Sequence, residues 1–365
     1  MKKNDIIYFN TAGLGIPPSN VLTQMSKMHY ELYSDPRKEE IFRRNIIIEK
    51  KIIIDELFRG KNYSLSYLRN ASEALMIASN MFSMTRGDEV IITSLDHRSC
   101  INQWTIVCDK VGAKLSTLDI SINASEEEIL LSLNKKITNH TKIIIFPHVD
   151  RNFGVVFPVK KICDIAKSNG IFTIVDGAQS TGLIELNVDD YECDVYLGSF
   201  HKWFAAPLSL GYILVHNRIF ESIDRTYACG ERYYDQTIST RELGGDELGT
   251  RNLVIELLLP ILLKYHKKMP LRLHDEDLIG TLLYELKKIK GIKIHPTSME
   301  KRGILSFFIE NVEMDCLIKN LIDKHNIIVG DAKKYNQTWI RLSIDENNTL
   351  EEIMRFIKIL RCELE

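Results

Sequence analysis

Short apolar segments alternate with longer segments of helical periodicity along most of the chain. The short segments include residues 89–93, 142–146, 171–175 and 194–197. Apolar segments of about four to eight residues that end in small or polar residues are typical of buried strands. They alternate with amphipathic helices, such as the one predicted at 159–170. The pattern therefore predicts an α/β fold with a mainly parallel central sheet covered by helices.

The pattern also predicts a division of the 365 residues into two domains. An irregular Gly/Pro segment near the start indicates an N-terminal arm at 1–18. The alternating strands and helices predict a large domain at 19–252, and a continuous helical segment predicts a linking helix at 253–270. A second set of strands and helices predicts a smaller C-terminal α/β domain at 271–365.

Composition adds few constraints on function. With 45% hydrophobic residues, 26% charged residues and a net charge of −2, the chain has no basic surface that would favour nucleic acid or an anionic membrane. The first residues lack the apolar core of a secretory signal, and the apolar stretch 253–263 contains Glu256 and Pro260 and is too short to span a bilayer. The 7 cysteines are scattered without a Cys-x-x-Cys motif. We expect reduced thiols, a cytoplasmic location and no metal site.

The candidate chemistry follows two of the predicted strands. Asp176 and Gln179 come after the strand at 171–175, and Ser199, His201 and Lys202 come after the next strand. Ligands of parallel sheets bind at the carboxyl ends of strands. A lysine amine can hold the aldehyde of pyridoxal 5′-phosphate (PLP), a carboxylate can pair with its protonated ring nitrogen, and nearby donors can take up phosphate charge. This set of residues therefore points to PLP.

The same stretch resembles the core of the class V (fold type I) PLP enzymes, which include cysteine desulfurases, selenocysteine lyases and isopenicillin-N-epimerase-like proteins. The resemblance lies in Asp-Gly-Ala-Gln at a strand end, followed one strand later by Ser-x-His-Lys. It implies that Lys202 carries PLP as a Schiff base, that Asp176 pairs with the pyridine nitrogen and that Gln179 reaches the ring hydroxyl. It also implies that Ser199 and His201 bind the phosphate.

Three further segments match the family around the cofactor. Residues 66–74 resemble its phosphate loop, in which Ala71 would act through its backbone and Ser72 through its hydroxyl; Ser72 is also a candidate N-cap for a helix predicted from Ala74. His97 corresponds to the histidine that stacks on the pyridine ring. Thr250 corresponds to a threonine that reaches the phosphate of the neighbouring subunit's PLP, which implies a homodimer with its sites at the interface.

Three residues are candidates for the substrate side of the site. Arg341, in a strand that resembles the family's Arg-x-Ser strand, would hold a substrate carboxylate in bidentate fashion. Asn10, in the arm, is a candidate substrate contact; a simple turn is the alternative. Arg151 stands where the family has an asparagine that bonds the ring hydroxyl. It could bond the ring oxygen, reach an acidic substrate, or turn away and leave that place to Asn152.

The segment before the arginine strand lacks a feature of cysteine desulfurases. These enzymes carry a nucleophilic loop cysteine there, but residues 327–339 contain none; Cys316 lies before this segment and Cys362 near the C-terminus. A persulfide-forming desulfurase is therefore not expected. The resemblance implies an enzyme that acts on an amino acid through an external aldimine and a Cα carbanion. The leading interpretation is a C–S lyase or related elimination; alternatives are a class V aminotransferase, an epimerase, and a non-catalytic sensor or partner subunit.

Overall fold

The computed structural model describes residues 6–224, 250–268, 276–295, 303–334 and 336–365. The chain divides into two compact units. The larger unit consists of Ile16–Val149 and Val156–Lys268, and the smaller unit consists of Met1–Gly15, Asp150–Val155 and Met269–Glu365. The short segment Asp150–Val155 thus belongs to the smaller unit, although the sequence on both sides of it belongs to the larger one.

The strands follow the predicted apolar segments closely. In chain order they are β1 (Ile7–Phe9), β2 (Tyr63–Leu68), β3 (Glu89–Thr93), β4 (Lys114–Leu118), β5 (Thr141–Pro147), β6 (Phe172–Asp176), β7 (Val195–Ser199), β8 (Gly211–His216), β9 (Ile292–His295), β10 (Ile304–Ile309), β11 (Ile327–Lys334) and β12 (Gln337–Ser343).

The helices occupy the intervening segments. They are α1 (Ser19–Ser34), α2 (Lys38–Ile53), α3 (Ala71–Ser79), α4 (Arg98–Val111), α5 (Glu126–Lys136), α6 (Val159–Ser168), α7 (Val188–Tyr191), α8 (Leu253–Leu257), α9 (Leu259–Lys268), α10 (Glu276–Lys287), α11 (Met314–His325) and α12 (Leu350–Leu364). A π-helical turn continues α2 through Ile54–Phe58, and a 3₁₀ turn covers Asn217–Ile219. Within the described ranges, no helix is both long and apolar enough to cross a membrane.

The larger unit is built on a seven-stranded sheet in the order β2-β8-β7-β6-β5-β3-β4. Its strands run parallel from β7 to β4, and β8 runs antiparallel to both β7 and β2. Apolar side chains of α3 and α4, such as Ile77 and Trp104, form a buried cluster with Ile92, Ile145 and Ile174 of the sheet. The predicted mixed α/β fold with a mainly parallel sheet is confirmed.

Strand register places the ends of three strands side by side. Ser199, the last residue of β7, pairs with Gly211 at the start of β8, and Gly211 pairs on its other side with Leu68 at the end of β2. One strand further, Asp176 at the end of β6 pairs with Leu197. The segments that follow β2, β6 and β7 therefore leave the sheet at one edge, where ligands of parallel sheets bind.

The smaller unit contains a five-stranded sheet in the order β1-β11-β12-β10-β9. Its strand β1 pairs parallel with β11, so the start of the N-terminal segment is part of this sheet. Arg341 lies in β12 opposite Gly330 of β11 and Ser306 of β10. This register puts the arginine in the middle strand, flanked by a glycine and a serine that leave room for its long side chain.

Candidate active site

The carboxyl end of β6 presents a deeply buried carboxylate. Asp176 is 7% exposed, and its Oδ1 accepts a hydrogen bond from the backbone N–H of Ala178 at 2.9 Å. Burial raises the pKa of Asp176 above its ordinary value, whereas the positive charge of Lys202 acts in the opposite direction. A buried carboxylate of this kind gains stability from a cationic partner, such as a protonated ring nitrogen.

Buried hydroxyl groups hold the turn that follows Asp176. The Tyr196 hydroxyl lies 2.8 Å from His148 Nδ1 and 2.6 Å from Ser180 Oγ, which in turn donates to the carbonyl of Gly177. A Cβ at Gly177 would overlap the Tyr196 ring, so the turn packs directly on that ring. Burial lowers the pKa of His148 to about 3, which keeps the ring neutral. This network fixes the backbone from which Asp176 projects.

Gln179 and Lys202 are connected through the residue that follows the lysine. Trp203 Nε1 donates to Gln179 Oε1 at 2.8 Å, and both side chains are buried. The bond ties the turn after β6 to the segment after β7, although 24 positions separate the two residues. The structure therefore brings Asp176, Gln179 and Lys202 to the same edge of the sheet.

The N-terminus of α3 lies next to the end of β7. The backbone N–H of Ala71 donates to Ser199 Oγ at 3.0 Å. The predicted N-cap at Ser72 is wrong: Asn70 caps the helix by accepting from Glu73 N at 3.0 Å, and α3 begins at Ala71 rather than Ala74. An asparagine three residues before a glutamate is a recognisable capping signal. The first N–H of α3 is thus directed toward Ser199, and a helix N-terminus at this place suits a phosphate.

Two histidines adjoin this edge with different tautomers. His97 caps α4, and because its Nδ1 accepts from the backbone N–H of Ser99 at 3.1 Å, the neutral ring carries its proton on Nε2. His201 Nδ1 lies 3.3 Å from the carbonyl of Leu210 and must donate to it. Burial, followed by the charge of Lys202, lowers the pKa of His201. His201 would therefore need a second proton, on Nε2, to donate to a phosphate as well.

Thr250 is exposed and lines a cavity of about 280 Å³ that is also lined by Leu210, whose carbonyl contacts His201. Arg69, Glu73, Arg251 and Glu256 line the same cavity. The two acidic residues are held by the two arginines, with Arg69 Nη2 to Glu73 Oε1 at 3.0 Å and Arg251 Nε to Glu256 Oε1 at 2.6 Å. The predicted role of Thr250 at a neighbouring subunit's phosphate stays a prediction.

The three residues predicted for the substrate side all lie in the smaller unit. Arg341 is 1% exposed; its Nη2 donates to Asn10 Oδ1 at 2.5 Å and its Nη1 to the backbone carbonyl of Arg151 at 3.3 Å. The Nε of Arg341 is buried without a hydrogen-bond partner. Asn152, the other candidate for the family asparagine position, accepts from Ser306 Oγ through its backbone carbonyl. The structure thus groups Arg341, Asn10 and Arg151.

The larger unit fits PLP by the chemistry of its donors. Asp176 supplies a buried carboxylate that favours a cationic ring nitrogen, Lys202 supplies the amine, and Ala71 N–H with Ser199 supplies donors at a helix N-terminus. The sequence offers no reason to single out Tyr196, whose hydroxyl bonds Ser180 in the turn that follows Asp176. A tyrosine within a buried strand has no local signal that separates a supporting role from simple packing.

Comparisons with known proteins agree with this chemistry. The sequence profile described as "Aminotransferase class-V" matches residues 7–356. A probable cysteine desulfurase of Xylella fastidiosa (strain Temecula1) is 27% identical over 290 residues, which cover 75% of this chain and 69% of the relative. An isopenicillin N epimerase of Streptomyces clavuligerus is 22% identical over 225 residues, which cover 60% and 56%.

Solved structures share the fold over nearly the whole chain. A structure of the cystine C–S lyase C-DES in complex with its reaction product cysteine persulfide has a TM-score of 0.84 and 21% identity, with coverage of 98% of this chain and 97% of that one. A mutant of the same lyase, with glycine covalently linked to its PLP cofactor, has a TM-score of 0.85 and 20% identity, with coverage of 98% and 96%.

Proposed function

Because the chain belongs to the class V aminotransferase family and is a PLP-dependent enzyme, we propose that it cleaves a carbon–sulfur bond of a sulfur-containing amino acid by elimination. The observation that carries the choice of reaction is the hairpin of β11 and β12. Lys334 pairs with Gln337, so the register leaves two positions between the last paired residues of β11 and β12. Neither of them, nor any other position from 327 to 339, is a cysteine that could act as a nucleophile.

Sulfur would therefore leave with a product and would not be transferred to the enzyme. For cysteine, the substrate and one water give pyruvate, ammonia and hydrogen sulfide. For cystine, the disulfide substrate of the similar lyase C-DES, the substrate and one water give pyruvate, ammonia and cysteine persulfide. In both cases the Cα proton and the Cβ–S electron pair leave on the sulfur product, so no external oxidant or reductant is needed.

Lys202 and Asp176 carry the chemical step in this proposal. When bound, PLP supplies an electron sink for the charge that remains at the substrate Cα after proton loss. Lys202 Nζ would hold the cofactor before substrate binds and would then accept the Cα proton as a general base. The Asp176 carboxylate would pair with the protonated ring nitrogen, Gln179 would bond the ring hydroxyl, and His97 would stack on the ring.

The phosphate would be held where α3 begins. We assign the Ala71 backbone N–H and the hydroxyl groups of Ser72 and Ser199 as donors, with His201 donating once it is doubly protonated. We further propose a homodimer in the cytoplasm, in which Thr250 reaches the phosphate bound by the neighbouring subunit.

Arg341 would hold the α-carboxylate of the substrate. Its guanidinium is nearly fully buried, and its described hydrogen-bond acceptors, the Asn10 side chain and the Arg151 carbonyl, are both neutral. A buried cation without a paired anion is costly, and a substrate carboxylate would relieve that cost. Asn10 would orient the guanidinium for this contact.

A product assay tests the reaction. Purified holoenzyme is incubated with cysteine or cystine, and pyruvate, ammonia and sulfide or persulfide sulfur are measured over time. We expect equal amounts of all three, and we expect turnover within about threefold of wild type in a double variant with Cys316→Ala and Cys362→Ala, because both thiols are exposed and lie on α11 and α12.

Other outcomes would identify other functions. Loss of sulfur release in the double variant would indicate a desulfurase that uses its own thiol. A keto acid that keeps its sulfur would indicate transamination, and a changed Cα configuration would indicate epimerisation. Absence of turnover across a panel of amino acids would favour a non-catalytic subunit.

A further inference from the structure

The surroundings of Arg341 hold a second cation. Arg151 is half-buried, and its backbone carbonyl accepts from Arg341 Nη1 at 3.3 Å. The charge of Arg151 acts on Arg341: after burial, repulsion from Arg151 is the strongest influence that lowers the pKa of Arg341 to about 10. The smaller unit therefore holds two arginines in one cluster, joined by the hydrogen bond from Arg341 Nη1 to the Arg151 carbonyl.

The acidic residues nearby do not pair with either arginine. Asp150 is buried, its Oδ2 accepts from the backbone N–H of Phe153 at 2.6 Å, and its Oδ1 has no hydrogen-bond partner. Asp331 is exposed on β11. Neither carboxylate forms an ion pair with Arg341 or Arg151 among the described residues, and the attraction of each to Arg341 is weaker than the repulsion from Arg151. Among the described residues, the two guanidinium groups therefore have carboxylates nearby but no ion pair, and an anionic ligand could pair with them directly.

We propose that Arg151 and Arg341 together bind substrates with two carboxylates. Arg341 would bind the α-carboxylate, and Arg151 would bind a second carboxylate on the leaving group. The inference rests on the proposed function and narrows its substrate class to amino acids whose sulfur substituent ends in a carboxylate. The sequence leaves three roles open to Arg151, and contact with an acidic substrate is the one that agrees with its position. Its carbonyl bonds Arg341, which also bonds Asn10.

The first test compares an acid with its amide. S-Carboxymethyl-L-cysteine and S-carbamoylmethyl-L-cysteine have the same shape and differ in the charge of the leaving group. A charge-assisted hydrogen bond changes affinity by about tenfold to a hundredfold. We expect wild-type kcat/KM to favour the acid by that factor, Arg151→Gln to remove the preference, and Arg151→Lys to keep part of it. Because Arg151 contacts Arg341 through its backbone, these variants leave that hydrogen bond in place.

A second test measures binding without elimination. Calorimetric titration of the holoenzyme with L-glutamate and L-glutamine compares two natural isosteres that lack a sulfur leaving group. We expect wild type to bind glutamate more tightly by about tenfold or more, and Arg151→Gln to bind both alike. The exposed Arg355 of α12 provides the matched control, and Arg355→Gln should behave as wild type.

These outcomes separate the inference from the proposed function. If glutamate is preferred but no thioether releases sulfur, the elimination proposal fails and the dicarboxylate site stands. If sulfur is released but Arg151→Gln leaves the acid-to-amide ratio unchanged, the dicarboxylate site is overturned. A variant that instead shifts the cofactor absorbance would place Arg151 at the ring hydroxyl and would also overturn it.

Discussion

The backbone N–H of Ala71 donates to Oγ of Ser199 at 3.0 Å, although the two residues are 128 positions apart in the chain. The contact exists because β2, β8 and β7 are neighbours and because Leu68, Gly211 and Ser199 share one register row. A Cβ at Gly211 would overlap the backbone of the segment that leads into α3, so that segment lies directly on β8. Sheet topology thus brings a helix N-terminus to the residue before Phe200, His201 and Lys202.

Replacement of this serine should weaken cofactor binding without unfolding the protein. Ser199→Ala removes a hydroxyl that we propose as a donor to the phosphate, and hydrogen bonds to charged groups contribute about 1.5–3 kcal/mol. We expect the dissociation constant for PLP to rise by about tenfold or more in a titration of apoprotein followed by absorbance. Ser168→Ala is the control, because that exposed hydroxyl donates to Asp164 O on α6. Equal PLP affinity in wild type and Ser199→Ala would remove Ser199 from the phosphate site.

The covalent attachment point can be identified directly. Lys202 is the lysine whose charge acts on buried Asp176, and it follows Ser199 and His201. Borohydride reduction of the holoprotein should fix the cofactor on the peptide that contains Lys202, as found by mass spectrometry. Lys202→Ala should prevent labelling and abolish turnover, whereas Lys110→Ala, at an exposed position in α4, should do neither. A label on another lysine would contradict the assignment.

The strands, and the positions of Asp176 and Ser199 at strand ends, could be predicted from sequence because each depends on a local signal. The apolar run before Asp176 is short, ends abruptly in a polar residue and becomes β6 with a shift of one residue. The predicted start of α3 at Ala74 is three residues late, because Asn70 and Ser72 are both good caps and the Asn70 side chain is the one that accepts from the N–H of Glu73.

Relationships that depend on long-range packing had no such signal. Membership of Asp150–Val155 in the smaller unit follows from contacts with distant segments, such as Phe153 against Trp339 with ring centroids 5.3 Å apart. The hydrogen bonds of Tyr196 to His148 and Ser180 join two strands and a turn. Side-chain chemistry at single positions does not reveal such partners, because their identity depends on strand order and register.

Glu89 should make the stability of the larger unit sensitive to acid. Its carboxylate is buried at the start of β3 and accepts from Lys114 Nζ at 2.8 Å, Ser116 Oγ at 2.5 Å, Thr138 Oγ1 at 2.8 Å and Thr141 Oγ1 at 2.9 Å. Burial alone would raise the pKa of Glu89, but these bonds outweigh burial and lower it from 4.5 to about 2. The ionised form is therefore favoured in the folded state.

The stability that Glu89 provides is present above its unfolded pKa and is lost as pH falls toward about 2. A depression of this size corresponds to about 3 kcal/mol. In urea unfolding at pH 7, the free energy of unfolding of Glu89→Gln should be about 2–3 kcal/mol lower than that of wild type. This difference should shrink from pH 4.5 down to the most acidic pH at which the protein still folds. Glu310→Gln, which loses only an exposed pair with Lys293, should change stability by less than about 1 kcal/mol at either pH. A difference that does not depend on pH would show that Glu89 acts through packing alone.

The position of the Arg341 guanidinium should depend on the absence of a side chain at Gly330. The two residues face each other across β11 and β12, and a Cβ at Gly330 would overlap Nη2, Nε and Cζ of Arg341. In Gly330→Ala the guanidinium must move away from its present contact with Asn10.

Arg341→Ala should weaken the binding of every amino acid alike by about tenfold to a hundredfold, because the proposed contact is with the α-carboxylate that all of them share.

Gly330→Ala should reproduce much of this loss while keeping the arginine. We expect apparent dissociation constants to rise by about tenfold for amino acids in general, measured by calorimetric titration, with little change in the midpoint of thermal unfolding. Gly280→Ala is the matched control in the same unit, since nothing lies within 4 Å of a Cβ at that position in α10. The contrary outcome is that Gly330→Ala binds amino acids as tightly as wild type whereas Arg341→Ala binds them more weakly. The Arg341 guanidinium could then bind a carboxylate from a displaced position, and its packing against Gly330 would not be needed to align it.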